Sequence, residues 1–170
     1  MPYIYAQAKD CSERGLPMTR ALFIEYPDDP GSWLVDNEYL FGSSMLVAPL
    51  FDNITKRDVY LPPGQWIHYQ TLKIYSGGWQ NIEAGKIPVI VLVRDGTFIP
   101  HIALAQSTTE MDWSKLDIEV YSTGTGKVNG LICLPSDNVL HPVTLVKTAA
   151  GYIIENDPFA GKVKCDINKF

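Results

Sequence analysis

From residue 44 onward the sequence is a regular series of short apolar or alternating runs, and this spacing is its strongest indication of fold. Turn-forming residues punctuate the series at Pro62-Pro63-Gly64, Gly77-Gly78 and Asp95-Gly96. Short strands at such intervals are typical of antiparallel β-sandwiches. We therefore predict a mainly β protein with one or two sandwiches and a boundary in the polar segment 103–115. The predicted strands lie in 44–51, 58–69, 73–78, 87–100, 116–122, 130–135, 143–147, 151–155 and 162–168.

The first residues have a different pattern, which predicts a helix over 2–15. Pro2 suits the first turn of a helix, and Gly15 is placed to end it in the left-handed conformation. Ile4, Ala8 and Cys11 have the three- and four-residue spacings of one helical face. These three residues are predicted to form one apolar face of the helix.

A nearly continuous apolar run follows at 18–25 and predicts a strand covered on both faces. Asp29 and Pro30 resemble an N-cap and a first-turn proline, which predicts a short helix through Trp33. One helix-strand-helix unit cannot cover both faces of a parallel strand. We therefore expect residues 1–43 to be the end of a larger α/β domain, and the chain to be part of a longer protein.

Composition excludes two classes of partner. The formal net charge of −5, without a cluster of Lys and Arg, argues against nucleic acid. The longest apolar run, 87–93, is too short to cross a bilayer, so no membrane partner is expected. Cys11, Cys133 and Cys165 are isolated in sequence, and we interpret them as small hydrophobic residues rather than metal ligands or redox partners.

Acidic residues leave the predicted strand at its C-terminal end. Asp28 and Asp29 are interpreted mainly as turn and helix-capping residues, with a contact to substrate or to another domain as the alternative. Adjacent residues of an extended segment point to opposite faces, so the pair is a poor clamp for one scissile bond. Glu25 and Tyr26 are weaker candidates for lining a pocket. Arg20 must have a partner if it is buried, either in a salt bridge or on a sugar hydroxyl.

Other possible site residues lack the spacing that chemistry requires. His68, His101 and His141 have no carboxylate or cysteine at metal-ligand spacing, so no metal site is predicted. Ser43 and Ser44 lack the frame of a nucleophile elbow. The segment 122–127, STGTGK, lacks the spacing of a phosphate-binding loop and is interpreted as a hairpin turn.

Aromatic residues gather near the glycine-containing turns. Such side chains either stack on sugar rings or pack within a sandwich, and packing is the favoured interpretation. They are Trp66, Tyr69, Tyr75 and Trp79.

Five blocks of the sequence resemble consecutive blocks of glycoside hydrolase family 31, the family of α-glucosidases and α-xylosidases. They are MPYIYAQA (1–8), GLPMTRALFIEYPDDP (15–30), DNEYLFGSSMLVAPLF (36–51), RDVYLPPGQWIHY (57–69) and IPVIVLVRDGTFIP (87–100). The resemblance implies that residues 1–43 are the C-terminal end of a (β/α)₈ catalytic barrel. Residues 44–106 would be a proximal β-sandwich domain, and residues 107–170 part of a distal β-domain.

Within that assignment, the resemblance makes 1–16 the last part of the seventh barrel helix, 18–26 the eighth strand and 30–43 a closing helical segment. It implies a retaining α-glycosidase whose two catalytic aspartates lie on barrel strands before residue 1. No catalytic, substrate-binding or metal-binding residue is therefore assigned to this chain, and no cofactor is expected. The expected partners are a carbohydrate substrate, bound through the barrel, and the rest of the same protein.

A different class of function remains open. A self-standing β-sandwich module that binds carbohydrate or protein would need neither a barrel nor catalytic residues. The segment 1–43 separates the two hypotheses, because a binding module has no use for a buried parallel strand.

Overall fold

A computed structural model describes residues 1–124, 126–149 and 151–169, and it divides the chain into two compact units. The first unit is Leu16–Asp95, and the second unit combines Met1–Gly15 with the residues from Gly96 on. In chain order, the elements are α1 (Pro2–Arg14), β1 (Thr19–Arg20), α2 (Leu22–Glu25), a 3₁₀-helix (Pro30–Trp33), β2 (Tyr39–Phe41), β3 (Met45–Pro49), β4 (Lys56–His68), β5 (Ile74–Glu83), β6 (Val89–Arg94), β7 (Thr97–His101), a 3₁₀-helix (Thr108–Glu110), β8 (Lys115–Tyr121), β9 (Val128–Cys133), β10 (Leu140–Thr148), β11 (Gly151–Glu155) and β12 (Lys164–Lys169).

The first unit is a six-stranded sheet in the order β1-β2-β3-β6-β4-β5, and its strand pairs are antiparallel. β4 is long enough to pair with β5 along both of its halves, with a change of register between Leu61 and Gln65. Both sides of this bulge contribute to one core, because Leu61 and Trp66 are buried in the same apolar cluster. The other fully buried members of the cluster are Leu22, Leu40, Leu46, Ala48, Val59, Ile82, Ile90 and Leu92.

The second unit is another six-stranded sheet, in the order β11-β10-β9-β7-β8-β12. Most of its pairs are antiparallel, while β12 runs parallel to β8, and β7 runs parallel to β9 at a single residue pair. Alternate residues of β8 point into its core, as the pleat of a strand requires. That core contains Phe98, Leu116, Ile118, Val120, Val128, Ile132, Leu134, Val143, Leu145, Phe159 and Val163.

α1 belongs to the second unit and packs against β7, β9 and β10. Its bounds agree with the prediction: Pro2 lies in the first turn, and Gly15 ends the helix with φ 67°. The predicted apolar face is only partly correct, because Cys11 is buried while Ile4 and Ala8 are exposed. The buried positions are Pro2, Tyr3, Ala6, Gln7, Asp10 and Cys11. Because Gln7 and Asp10 are polar, the buried face cannot be recognised from the spacing of apolar residues.

The predicted mainly β fold class is confirmed, and strands occur in each of the nine predicted segments. Asp95 and Gly96 connect β6 to β7, as expected, but these strands belong to different sheets. Pro62-Pro63-Gly64 forms the bulge within β4, and Gly77-Gly78 lies inside β5 rather than after it. In the part of the chain that is described, no helix has the length and apolarity needed to cross a membrane.

The strand predicted at 18–25 is wrong. Only Thr19 and Arg20 are extended, and they pair antiparallel with β2. Ala21 then begins the helical turn α2, in which Leu22 is buried while Phe23 and Ile24 are exposed. A short apolar run does not distinguish a strand from a helical turn. The inference from a buried parallel strand to a larger α/β sheet consequently loses its basis.

Two further predictions need correction. The closing helical segment at 30–43 is helical only over Pro30–Trp33, and β2 occupies its end. The segment 122–127 joins β8 and β9, which both pair with β7 rather than with each other, so it is not a hairpin turn. Residue 125 lies outside the described residues. The domain limits at residues 43 and 106, and the barrel assignment of 1–43, stay predictions about a longer protein.

Candidate functional site

The acidic turn after α2 borders a cavity of about 460 Å³ in the first unit. The structure brings together there four of the five residues considered from the sequence, together with three prolines, while Arg20 does not line the cavity. The lining residues are Glu25, Tyr26, Pro27, Asp28, Asp29, Pro30 and Pro63.

Asp29 has the capping role that the sequence predicts. Its Oδ1 accepts a hydrogen bond from the Gly31 amide at 3.1 Å, at the start of the 3₁₀-helix. The Tyr60 hydroxyl donates to Oδ1 at 2.7 Å and lies 2.9 Å from Oδ2. Burial, followed by the hydrogen bond and the charge of Asp29, raises the pKa of Tyr60 to about 12. These contacts make Asp29 a structural residue, while Asp28 is exposed.

Glu25 lies between two guanidinium groups. Its Oε2 is 3.7 Å from Arg20, and its Oε1 is 3.8 Å from Arg94. Arg94 also lies over the Tyr26 ring at 5.3 Å. Burial, the largest influence, raises the pKa of the Tyr26 hydroxyl, against the charge of Arg94.

Arg20 is buried, as the sequence analysis considered, and its ion pair is with Glu25. The three guanidinium nitrogens of Arg20 make no hydrogen bond within the residues that the structure describes. A sugar contact by Arg20 stays untested. The Glu25 carboxylate therefore lies within ion-pair distance of two guanidinium groups at the edge of the cavity.

A buried carboxylate, Glu38, was missed in the sequence analysis. The Glu38 side chain is fully buried, accepts a hydrogen bond from the Tyr60 amide at 3.1 Å, and lies 3.7 Å from Arg57. Burial raises the pKa of Glu38 to about 7, against the opposing effects of Arg57 and the Tyr60 amide. The sequence did contain a signal for this burial. Glu38 lies two residues before the core residue Leu40, and residues two apart in a strand face the same side.

The three histidines occupy separate places. His68 is buried, and its Nδ1 accepts hydrogen bonds from the amides of Gln70 and Thr71. His101 lies 3.2 Å from Glu119, and His141 lies 2.9 Å from Asp137. Among the described residues, no group of three or more His, Cys, Asp or Glu is arranged to hold a metal ion.

The four aromatic residues divide into buried and exposed positions. Trp66 is part of the core, and Tyr75 packs against that core. Tyr69 is half-buried. Trp79 is 60% exposed and contacts the Tyr60 ring edge-on at 5.4 Å. The interpretation as packing residues is therefore correct for Trp66 and Tyr75. For the exposed ring of Trp79, sugar stacking stays an untested alternative.

Comparison with known proteins identifies the family. The sequence model of the glycosyl hydrolase family 31 C-terminal domain matches residues 15–99, which is half of the chain. The chain belongs to glycoside hydrolase family 31. The resemblance that the sequence blocks indicated is thereby confirmed.

This family 31 chain has relatives among characterised carbohydrate enzymes. It is 33% identical over 138 residues to the α-xylosidase XylQ of Lactiplantibacillus pentosus, a match that covers 78% of this chain and 18% of the relative. It is 29% identical over 129 residues to α-glucosidase 2 of Bacillus thermoamyloliquefaciens, covering 75% of this chain and 16% of that protein. The family 31 chain thus spans less than a fifth of the length of these relatives.

A solved structure agrees with the family 31 assignment. The Flavobacterium johnsoniae family 31 dextranase, determined in complex with glucose, matches with a TM-score of 0.74 and 26% identity. The match covers 85% of this family 31 chain and 19% of the dextranase chain. The β-rich architecture of the chain is therefore one that occurs within a larger family 31 enzyme.

Proposed function

We propose that the chain is the C-terminal part of a larger retaining α-glycosidase that hydrolyses O-glycosyl bonds of α-linked glucose or xylose. The observation that carries this proposal is the coverage of its relatives. An α-glucosidase and an α-xylosidase each match most of this chain with 16% and 18% of their own length. The remaining length in such a protein is ample for a catalytic barrel.

The chemistry is assigned to that remaining part. Retention requires two carboxyl groups about 5–5.5 Å apart, one acting as nucleophile and the other as acid and then base. The acidic residues of the cavity after α2 are a poor match for these roles. Asp29 accepts hydrogen bonds from the Gly31 amide and the Tyr60 hydroxyl, and Glu25 forms ion pairs with Arg20 and Arg94. The role proposed for this chain is to brace the barrel.

An exposed apolar surface in the first unit supports the bracing role. The docking surface consists of Phe23, Ile24, Trp33 and Leu34. Leu34 is 81% exposed and Trp33 is 59% exposed, and the Trp33 ring stacks on Phe23 at 4.6 Å. Adjoining large apolar side chains of this kind mark interaction sites. We infer that the preceding part of the longer protein covers this surface.

The first test is an activity assay on the 170-residue chain. We expect no turnover of 4-nitrophenyl α-glucoside or α-xyloside above the buffer rate, because the catalytic carboxyl pair is assigned elsewhere. Turnover by the purified chain that is lost on substitution of Asp28 or Glu25 would refute the assignment of catalysis to the rest of the longer protein.

A second test uses the longer protein. Leu34→Glu should lower its activity and its melting temperature, because a charge would be buried against the barrel. Leu104→Glu is the matched control, since Leu104 is fully exposed and lies outside the docking surface. Equal effects of the two substitutions would refute docking at this surface. Comparing α-glucosides with α-xylosides on the same protein identifies the sugar.

The alternative is a β-rich carbohydrate- or protein-binding module without catalysis. The exposed face of Trp79 on β5 is the observation in its favour. This alternative predicts that Leu34→Glu leaves every property except solubility unchanged. It also predicts that no catalytic domain is encoded together with this chain.

A further inference from the structure

A second cavity, of about 460 Å³, lies in the second unit at the junction of three connections. Trp113 precedes β8, Leu134 follows β9, and Phe159 lies between β11 and β12. This volume falls within the range of small-molecule sites. We call the cavity the Trp113 pocket.

The floor of the Trp113 pocket is apolar and fixed. Leu134, Phe159 and Val163 belong to the buried core, and Trp113 packs against that core while remaining half-exposed. The Tyr5 ring contacts Trp113 edge-on at 5.8 Å, which supports the indole from α1. A supported but accessible aromatic ring is suited to stacking against a flat apolar face.

The rim of the pocket carries an oriented carboxylate. Asp137 Oδ1 accepts a hydrogen bond from the Val139 amide at 3.0 Å, and Oδ2 lies 2.9 Å from His141 Nε2. The Val139 amide, and then His141, lower the pKa of Asp137. His141 is itself held edge-on to the Phe159 ring at 5.3 Å. A carboxylate has about four lone-pair sites, so Asp137 retains acceptor capacity for a ligand hydroxyl.

Two donors complete the rim. The Ser136 hydroxyl and the Lys162 ammonium line the same cavity. Within the described residues, neither group makes a hydrogen bond or an ion pair. The pocket therefore combines a fixed acceptor and two available donors above an apolar floor, which is the composition of a binding site.

We propose that the Trp113 pocket binds a pyranose whose ring hydroxyls are equatorial, as in glucose or xylose. Equatorial ring hydroxyls leave at least one ring face covered only by C–H groups, even in an α-glycoside with an axial anomeric oxygen, and this face can lie on the indole. The hydroxyls around the ring edge then meet Asp137 as acceptor and Lys162 and Ser136 as donors. The family 31 dextranase of similar fold was determined in complex with glucose, a pyranose of this class. Binding in the Trp113 pocket does not require catalysis by the longer protein.

The test is a titration of the 170-residue chain with methyl α-glucoside and methyl α-xyloside, followed by NMR chemical shifts. We expect saturable shifts at the Trp113 indole with a dissociation constant of about 1 mM, typical of a weak site. Methyl α-galactoside, with its axial 4-hydroxyl, is the matched control ligand and should bind at least about fivefold more weakly. The absence of saturable binding by the glucoside and the xyloside would overturn the proposal.

Variants locate the site. Trp113→Ala should weaken binding at least about tenfold, which corresponds to 1.4 kcal/mol. Trp79→Ala, at an exposed tryptophan on β5 of the first unit, should leave binding unchanged. Loss of binding in Trp79→Ala together with retention in Trp113→Ala would place the sugar elsewhere and overturn the proposal.

Milder rim variants cover the case in which Trp113→Ala fails to fold. Lys162→Met and Ser136→Ala change exposed side chains and should each weaken binding by about threefold. Glycine and inorganic phosphate are titrated in parallel, since a carboxylate beside an ammonium suits those ligands as well. Saturation by glycine or phosphate, with none by the glucoside, would contradict a sugar site.

Discussion

Tyr60 donates its hydroxyl hydrogen bond to the Asp29 carboxylate, with its oxygen 2.7 and 2.9 Å from the two carboxylate oxygens. Tyr60 is on β4, and Asp29 caps the 3₁₀-helix that follows the acidic turn. The contact fixes an irregular segment to a long strand of the same unit. It also explains why the two adjacent aspartates differ: one is held in place, and Asp28 remains exposed.

Tyr60→Phe should lower the free energy of unfolding by about 1–2 kcal/mol, since hydrogen bonds to charged groups are the stronger ones. The Asp29 carboxylate would keep its hydrogen bond from the Gly31 amide. Urea denaturation measures the loss. Tyr39→Phe is the control, because the Tyr39 hydroxyl makes no hydrogen bond within the described residues. If both variants lose the same stability, the Asp29 contact has no special contribution.

The Tyr60 ring leaves no room for a side chain at Gly31. A Cβ at this position would lie 2.1 Å from Cζ of Tyr60, far inside van der Waals contact. We expect Gly31→Ala to cost about 1–3 kcal/mol through displacement of the ring. The cost should persist in a Tyr60→Phe background, which keeps the ring, and shrink in a Tyr60→Ala background. A double-mutant cycle by urea denaturation gives both values, and a cost independent of residue 60 would contradict this explanation.

The short elements show which parts of the fold sequence reasoning can predict. Helix α1 has a proline at its start and a glycine at its end, so both bounds are visible in the sequence. The segment 18–25 has no such marker within it. Its apolar run is divided between two extended residues, Thr19 and Arg20, which pair with β2, and a helical turn that follows them. The conformation of such a segment is set by pairing with a distant strand, and the local sequence does not reveal which strand that is.

The candidate sites divide in a similar way. The capping role of Asp29 depends on residues two positions apart and could be predicted. The Trp113 pocket joins residues that lie far apart in the chain, from Trp113 to Val163, so no local spacing marks it. The burial of Glu38 could have been predicted from its two-residue spacing to Leu40. Its partners Arg57 and Tyr60 could not, because they lie on β4.

Glu38 should make stability depend on pH. Its pKa rises from 4.5 in the unfolded chain to about 7 in the folded protein, so the folded state binds the proton more tightly. The contribution of Glu38 to the free energy of unfolding is therefore fully present below pH 4.5 and lost as the pH rises toward 7. The full effect is on the order of 3 kcal/mol. Glu38→Gln should remove this slope, as measured by urea midpoints from pH 4.5 to 8.

The control for Glu38 is Glu83→Gln, which changes an exposed carboxylate of the same unit. This variant should retain the slope of the parent protein over the same pH range. A Glu38→Gln protein that loses stability between pH 4.5 and 7 as steeply as the parent would show that another group is responsible.

Hydrogen exchange distinguishes the helical turn α2 from the buried strand predicted at that position. The Ile24 amide donates to the Ala21 carbonyl at 3.1 Å in a turn whose side chains Phe23 and Ile24 are exposed. Leu46 and Leu92, by contrast, pair with each other across β3 and β6 and are fully buried. In the 170-residue chain, we expect the Ile24 amide to exchange at least about tenfold faster than the Leu46 and Leu92 amides. Equal protection would support the strand after all.

The same measurement on the longer protein examines the docking surface. If the preceding domain covers Phe23 and Ile24, exchange at Ile24 should slow relative to the 170-residue chain, because opening would then require undocking. The Leu46 amide serves as the internal reference, since its protection comes from the sheet in both proteins. A longer protein in which the Ile24 amide exchanges as fast as it does in the 170-residue chain would mean that the surface stays uncovered, and the proposed bracing contact would have to lie elsewhere.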